Sequence, residues 1–435
     1  MRPKHWLFFG TAAICASHLS ACSSKFDACS ESRTCTAGGA SEAGAAGAAG
    51  AAENSGGDSG AAGEPTSAAG ALGQPEAGAS GEAGATQIAC DATHSACGEA
   101  CVDLKADGKN CGKCGHDCLG GECLAGQCEP TTVAPQQDQP IAIATDGSYV
   151  YWLGAHDAFE KEIYVARRRA DGSGEIKTIA PSETHASALA VAGNTVYWLS
   201  ADHVRACDAP DCLAGPHDFQ PSVSNRCLDL LFEPSNSTLY WSCNSNYQQN
   251  DGSLWSVPVP GATPIPVEPN SGNPEQMTTD GENLYWTNSS GFGSDNKLTS
   301  DGAIWRLQLK DGSRTRLVSG LTVEFGSIAV GGDTLYAAAG DIVSVPLPYG
   351  AATTTKVADG PVDDMVADAQ ALYWSDATTG LIKRCLHSGC VKPDVIATGQ
   401  NSPQAMAEDA VSIYWLSGLS LTTSSEAFPV QRLAK

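Results

Sequence analysis

Cysteine is the residue of this chain with the widest chemical scope, since a thiol can form a disulfide, bind a metal or accept an acyl group. Eighteen are present, too many for an ordinary cytosolic protein, which points to an oxidising compartment. Eight crowd between Cys90 and Cys128, and six are spread through the last two-thirds of the chain. Among the latter, Cys207 and Cys212, like Cys385 and Cys390, are separated by four residues. That spacing suits oxidised turn clips better than redox-active dithiols, whose cysteines usually have two residues between them. Cys111-Gly-Lys-Cys114 has zinc-ligand spacing, but export favours disulfides there as well.

Cys227 and Cys243 are expected to pair on the ground of register. Cys227 opens one strand and Cys243 ends the next, with a turn centred near Ser235. Antiparallel pairing about that centre sets Asp229 against Trp241, Leu231 against Leu239 and Cys227 against Cys243. Directly opposed residues at a non-hydrogen-bonded site lie within disulfide range.

Other chemistry is sparse. The nine histidines are scattered, and no HExxH, GxSxG or phosphate-loop pattern occurs. Asp229, Glu275, Asp363 and Asp364 fall on strands that could line a central axis, an acidic set without a basic or histidine partner. His185 and His203 are the histidines nearest to such positions. Arg167-Arg168-Arg169 reads as a strand end with its charges in solvent rather than as an anion site. The Asp-Gly pairs, such as Asp146-Gly147 and Asp280-Gly281, read as turns rather than calcium loops. We assign no catalytic, cofactor or metal residue from the sequence. A non-enzyme is favoured, with an extracytoplasmic propeller lyase or hydrolase acting on peptide or polysaccharide as the alternative, and a purely structural envelope protein as another.

The elements that position these residues are unevenly made. No Phe, Tyr or Trp lies between Asp27 and Ser148, so the bulky core belongs to the last two-thirds of the chain. Residues 36–87 are dominated by Gly and Ala and read as a disordered linker, because they lack an apolar face to offset the entropy of ordering. Residues 88–130 form a Cys-rich unit without aromatics that needs covalent staples; eight cysteines leave too many pairings for spacing to choose among. Its role is open between rigid spacer and ligand binding.

Residues 131–435 repeat. Tyr-Trp pairs occur at Tyr151, Tyr197, Tyr240, Tyr285, Tyr373 and Tyr414, with a degenerate copy at Leu335-Tyr336-Ala337. Each follows an alternating apolar stretch and a polar turn, and two further β-rich runs come after it, giving four strands per repeat. Four-stranded repeats of this period are propeller blades. The seventh repeat lacks its fourth strand, while Thr131–Ala134 precedes the first and matches the missing pattern. The expected fold is therefore all-β, a seven-bladed propeller closed by an N-terminal strand, preceded by the small disulfide-rich module and the disordered linker.

Arg2, Lys4 and the apolar run Trp6–Ala16 have the shape of a signal peptide, too short to span a bilayer. The following Leu19-Ser20-Ala21-Cys22 resembles the box of bacterial lipoproteins. That resemblance implies cleavage after residue 21, lipidation of Cys22 and, with Ser23 next, the outer membrane or cell surface of a Gram-negative bacterium. Residues 22–35 would be the lipidated N-terminus. The stretch CVDLKADGKNCGKCG is similar to the stigma-specific-protein type of Cys-rich module. Tyr285-Trp286-Thr287-Asn288 resembles the Tyr-Trp-Thr-Asp propellers of lipoprotein-receptor type, which have six blades rather than seven. The net charge of −24 argues against nucleic acid. The expectation is a monomer that touches the membrane through its lipid alone and binds a protein or glycan ligand not identified by the sequence.

Overall fold

The structure, a computed structural model, describes residues 88–156, 162–201, 203–220, 226–244, 252–269, 272–290, 301–323, 326–347, 354–390, 392–418 and 428–435. The signal peptide, Cys22 and the linker lie outside the described residues. Gln87–Lys435 form one compact unit, and the described residues contain strands and turns but no α-helix.

Seven four-stranded antiparallel sheets make the propeller. In six of them the strands follow chain order, as in blade three: Cys227–Glu233, Thr238–Cys243, Ser253–Pro258 and Ile265–Pro269. The seventh combines Pro403–Glu408, Ser412–Ser417 and Phe428–Ala434 with Thr131–Gln137 from the other end of the chain. The closing strand is thus three residues longer than the expected Thr131–Ala134. Val430 lies opposite Ala134 and Arg432 opposite Thr131.

The Tyr-Trp repeat is explained by the geometry of a strand, in which successive side chains point to opposite faces. Tyr and Trp of one blade therefore pack against different neighbours. Tyr151 shares a core cluster with Trp198, Tyr197 with Trp241, Tyr240 with Trp286, Tyr336 with Trp374 and Tyr373 with Trp415. Tyr414 meets Trp152 and so joins the last blade to the first. At the remaining junction Tyr285 packs with Ala337, the degenerate position, amid Ile304, Ile328 and Leu335. All six tryptophans of the pairs are fully buried.

The turns before these tyrosines carry a second repeat. Asp146 Oδ1 accepts the amides of Ser148 and Tyr149, while its Oδ2 accepts the Tyr151 hydroxyl at 3.0 Å. Asp280 and Asp409 do the same for Tyr285 and Tyr414, each at 2.7 Å. These Asp turns are thereby tied to the aromatic core.

The Cys-rich module has two short hairpins, Ser95–Cys97 with Ala100–Val102 and Cys123–Leu124 with Gln127–Cys128. Its disulfides are Cys90–Cys101, Cys97–Cys114, Cys111–Cys123 and Cys118–Cys128. Cys111 and Cys114 belong to different bonds, so the zinc spacing is not used as a ligand pair. Cys111, Cys118 and Cys128 are buried and pack with Tyr373, Trp415 and Leu433 of blades six and seven. The cystines thus serve as the apolar face of a unit that has no aromatic. His116 bridges the two parts, with Nδ1 2.6 Å from the Cys111 oxygen and Nε2 2.7 Å from the Lys435 oxygen.

Candidate functional site

In a four-stranded antiparallel blade the links between strands two and three emerge at the same end as the links between blades. The turns between strands one and two lie at the other end. The Cys-rich module sits at the latter end, near the turns Asp368–Gln370 and Asp409–Val411. The connections between strands two and three are long in blades one, three and four, at 156–162, 244–252 and 289–301, and the strand ends they join lie at the former.

The first strands surround a central cavity of about 320 Å³. Two of the four expected acids line it, and both are committed to hydrogen bonds between blades. Asp229 accepts the Leu230 amide at 2.9 Å and, from blade four, the Met277 amide at 2.7 Å. Asp364 accepts Ser327 Oγ of blade five at 2.8 Å and the Met406 amide of blade seven at 2.8 Å. Ser187 Oγ donates to the Cys227 oxygen at 2.7 Å, which adds a clip between blades two and three. Burial pushes the Asp229 carboxyl up to about 6, against the pull of its two amide donors and with help from the charge of Asp364. Asp364 is raised by burial too. Asp363 accepts the Ala377 amide at 2.6 Å and fastens a turn of its own blade.

Glu275 differs from the other three. It is 6% exposed, and its Oε1 is buried without a hydrogen-bond partner. Burial pushes its carboxyl up to about 8, and Ser289 and Arg226 oppose that rise. The acidic set therefore has a basic neighbour after all, in Arg226, which the sequence reading missed because it precedes the strand in a left-handed conformation (φ 82°). Asn244, which follows Cys243 at the same end, is 3% exposed and has both amide atoms buried without partners. No sequence signal marked it. His185 is exposed in the link between blades one and two and His203 opens the third strand of blade two; neither lines the central cavity.

Of the expected cysteine pairs, Cys227 and Cys243 are bonded, with Cα atoms 3.8 Å apart, and Cys385 is bonded to Cys390. The register around Cys227 nonetheless departs from the expectation. Asp229 faces Ser242, Leu230 faces Trp241 and Leu231 faces Tyr240, with a β-bulge between Cys227 and Asp229. The turn is centred half a residue later than expected, and the bulge restores the cysteine pair. The same irregularity recurs in the first strands of blades one, two, four and seven.

The expected Cys207–Cys212 clip is absent: both are buried thiols. Burial raises both, which suppresses the thiolate that disulfide exchange requires. The arginine run is also corrected. Arg167 pairs with Asp211 and donates to the Pro210 oxygen at 3.3 Å. Arg168 donates to the Val133 oxygen of the closing strand at 2.6 Å. Two of the three charges are thus used in contacts, while Arg169 stays exposed as expected.

No family model matches this sequence, and no curated protein matches it. Among solved structures, a selenomethionine-substituted virginiamycin B lyase from Staphylococcus aureus aligns over 71% of this chain and 98% of its own, at 15% identity and a TM-score of 0.52. A puromycin hydrolase variant aligns over 69% of this chain at 15% identity and a TM-score of 0.50. The match spans about half of that hydrolase, 53%. These likenesses concern the fold: the molecule is a seven-bladed β-propeller whose structural neighbours include a lyase and a hydrolase.

Proposed function

We propose that the protein is an exported lipoprotein that works as a binding or scaffolding protein, through the propeller end that carries the long connections. Cleavage after residue 21 and lipidation at Cys22 anchor it at the outer membrane or cell surface of a Gram-negative bacterium. Residues 36–87 act as the spacer, and a protein or glycan is the ligand. The observation that carries this reading is the use of Asp229 and Asp364 as clips between blades, which leaves these two channel acids holding the ring together rather than facing a substrate. One observation favours the alternative of a lyase or hydrolase: the protonated carboxyl that Glu275 keeps near neutral pH, with an oxygen to spare.

Two measurements test the reading. Replacing Cys22 by Ser is expected to move the protein from the membrane pellet to the soluble fraction, with loss of an acyl adduct by mass spectrometry. Membrane retention without any adduct on the wild type would refute anchoring. For binding, a glycan and peptide array is screened with the protein and with a variant whose residues 291–300 are replaced by a tight turn. Loss of capture with an unchanged melting temperature is expected. Equal capture by both would put the site elsewhere.

A further inference from the structure

Two cavities lie side by side where the Cys-rich module meets blades six and seven, with volumes of about 230 and 630 Å³. Both are lined by Lys113, His116, Tyr373, Arg384 and Lys435, so they form one cleft with a wall from each part. Clefts between structural units, with a few convergent polar groups, are preferred ligand sites. Module and propeller have to be docked for this one to exist.

The charges in the cleft are unequally satisfied. Lys435 Nζ lies 3.0 Å from Asp368 and also pairs with Glu408. Asp117 is held by Lys109 at 2.7 Å. Asp409 accepts the Tyr414 hydroxyl and two backbone amides. Two other cations are less well provided for. Arg384 reaches Asp394 through one terminal nitrogen at 3.0 Å, and its side chain is still 33% exposed. The exposed side chain of Lys113 makes no hydrogen bond or ion pair among the described residues. What is left over is cationic hydrogen-bonding capacity beside carboxylates that still have lone pairs to accept hydroxyl donors. Apolar surface continues from the cleft, with Ile396 and Leu433 in the smaller cavity and the exposed Leu386 and Val411 beside the larger.

We infer that this cleft binds a hexuronic acid, a sugar bearing one carboxylate and several hydroxyls, with Arg384 and Lys113 on the carboxylate. A guanidinium and an ammonium on one carboxylate form charge-assisted hydrogen bonds, the stronger kind. The neighbouring Asp368, Glu408 and Asp409 accept the hydroxyls. They would repel a ligand with several carboxylates, as would the chain's net charge of −24, which disfavours an acidic peptide. This site is separate from the propeller end proposed above to bind ligand.

The test is titration calorimetry on the full-length protein in detergent, with glucuronic acid, glucose and a glycyl-aspartate peptide as probes. Saturable binding of glucuronic acid, with glucose much weaker, is expected. Arg384→Gln and Lys113→Gln should each weaken it by about tenfold or more, the scale of one lost charge-assisted hydrogen bond, without change in melting temperature. Lys310→Gln, outside the cleft, should bind as the wild type does. The variant shortened at 291–300 should also keep its affinity for glucuronic acid, so that the two sites succeed or fail separately. No saturable binding, equal binding of glucose, or tighter binding of the peptide would overturn the assignment.

Discussion

The blades and the Cys-rich module solve one problem in opposite ways. Each blade junction is filled by large side chains, with a Tyr from one sheet against a Trp from the next in six of the seven. The module has no aromatic to bury and holds its shape by four crosslinks. Its sulfurs then double as the surface it presents to blades six and seven. Where burial is plentiful, disulfides are few: the described residues of the propeller carry two, one within a hairpin and one across a short turn. The contrast shows that cysteine density here follows the scarcity of apolar surface rather than export alone.

Three perturbations probe that contrast, in order of falling effect. Deleting 131–137 removes the strand that closes the ring and opens the edge of Phe428–Ala434, so cooperative unfolding of the propeller should be lost or its midpoint fall sharply. Thermal melting of the deleted chain against the intact one checks this, and equal midpoints would count against ring closure as a source of stability. Next comes a pair of substitutions. Trp286→Ala should cost the propeller about 3–5 kcal/mol through the cavity it leaves. Replacing Cys118 and Cys128 together by Ser should cost the module about 2–3 kcal/mol, with the propeller's midpoint nearly unchanged. Denaturant melts followed by Trp fluorescence, with proteolysis of residues 88–130 as the second readout, separate the two.

The smallest effect is on pH dependence. Asp229 and Glu275 are raised in the folded chain, to about 6 and about 8. Between the ordinary carboxylate range and those values the folded state therefore holds protons that the unfolded chain has released. Their contribution to stability is full at low pH and is lost as pH rises through that window. The melting temperature should accordingly fall between about pH 5 and pH 8.5, and Asp229→Asn should flatten the early part of the decline. A midpoint that rises over this interval would contradict the assignment.

The fold was legible because its largest side chains recur. A strand sends Tyr and Trp to opposite faces, so a regular Tyr-Trp repeat already encodes a ring of identical junctions. The missing fourth strand of the last repeat pointed to its donor for the same reason. The Cys227–Cys243 bond was legible from spacing even though the register between them was not. A bulge adds one residue without leaving a mark in the sequence, and here it compensated for the misplaced turn. The candidate sites were much less legible. Ser187 and Ser327 are ordinary polar residues whose importance comes from a partner roughly forty residues away on the next blade, and Asn244 is one whose importance comes from burial. Spacing along the chain carries no signal for such contacts. The Cys207–Cys212 spacing suggested a bond, but the same spacing is bonded at Cys385–Cys390 and not here, so spacing alone does not decide it.

The clasp between the module and the last blade has a mechanical consequence. A pull applied along the chain at residue 88 first meets covalent bonds, because the four disulfides prevent the module from unravelling. The load then passes to the closing strand at Thr131, which lies opposite Arg432. Peeling of the ladder would start at that pair. Arg432 is held there from two sides, by the Leu119 oxygen of the module and by the Ala170 oxygen of blade one at 3.0 Å. His116 fastens the neighbouring Lys435. The seam is thus riveted at the end where tension would begin to open it.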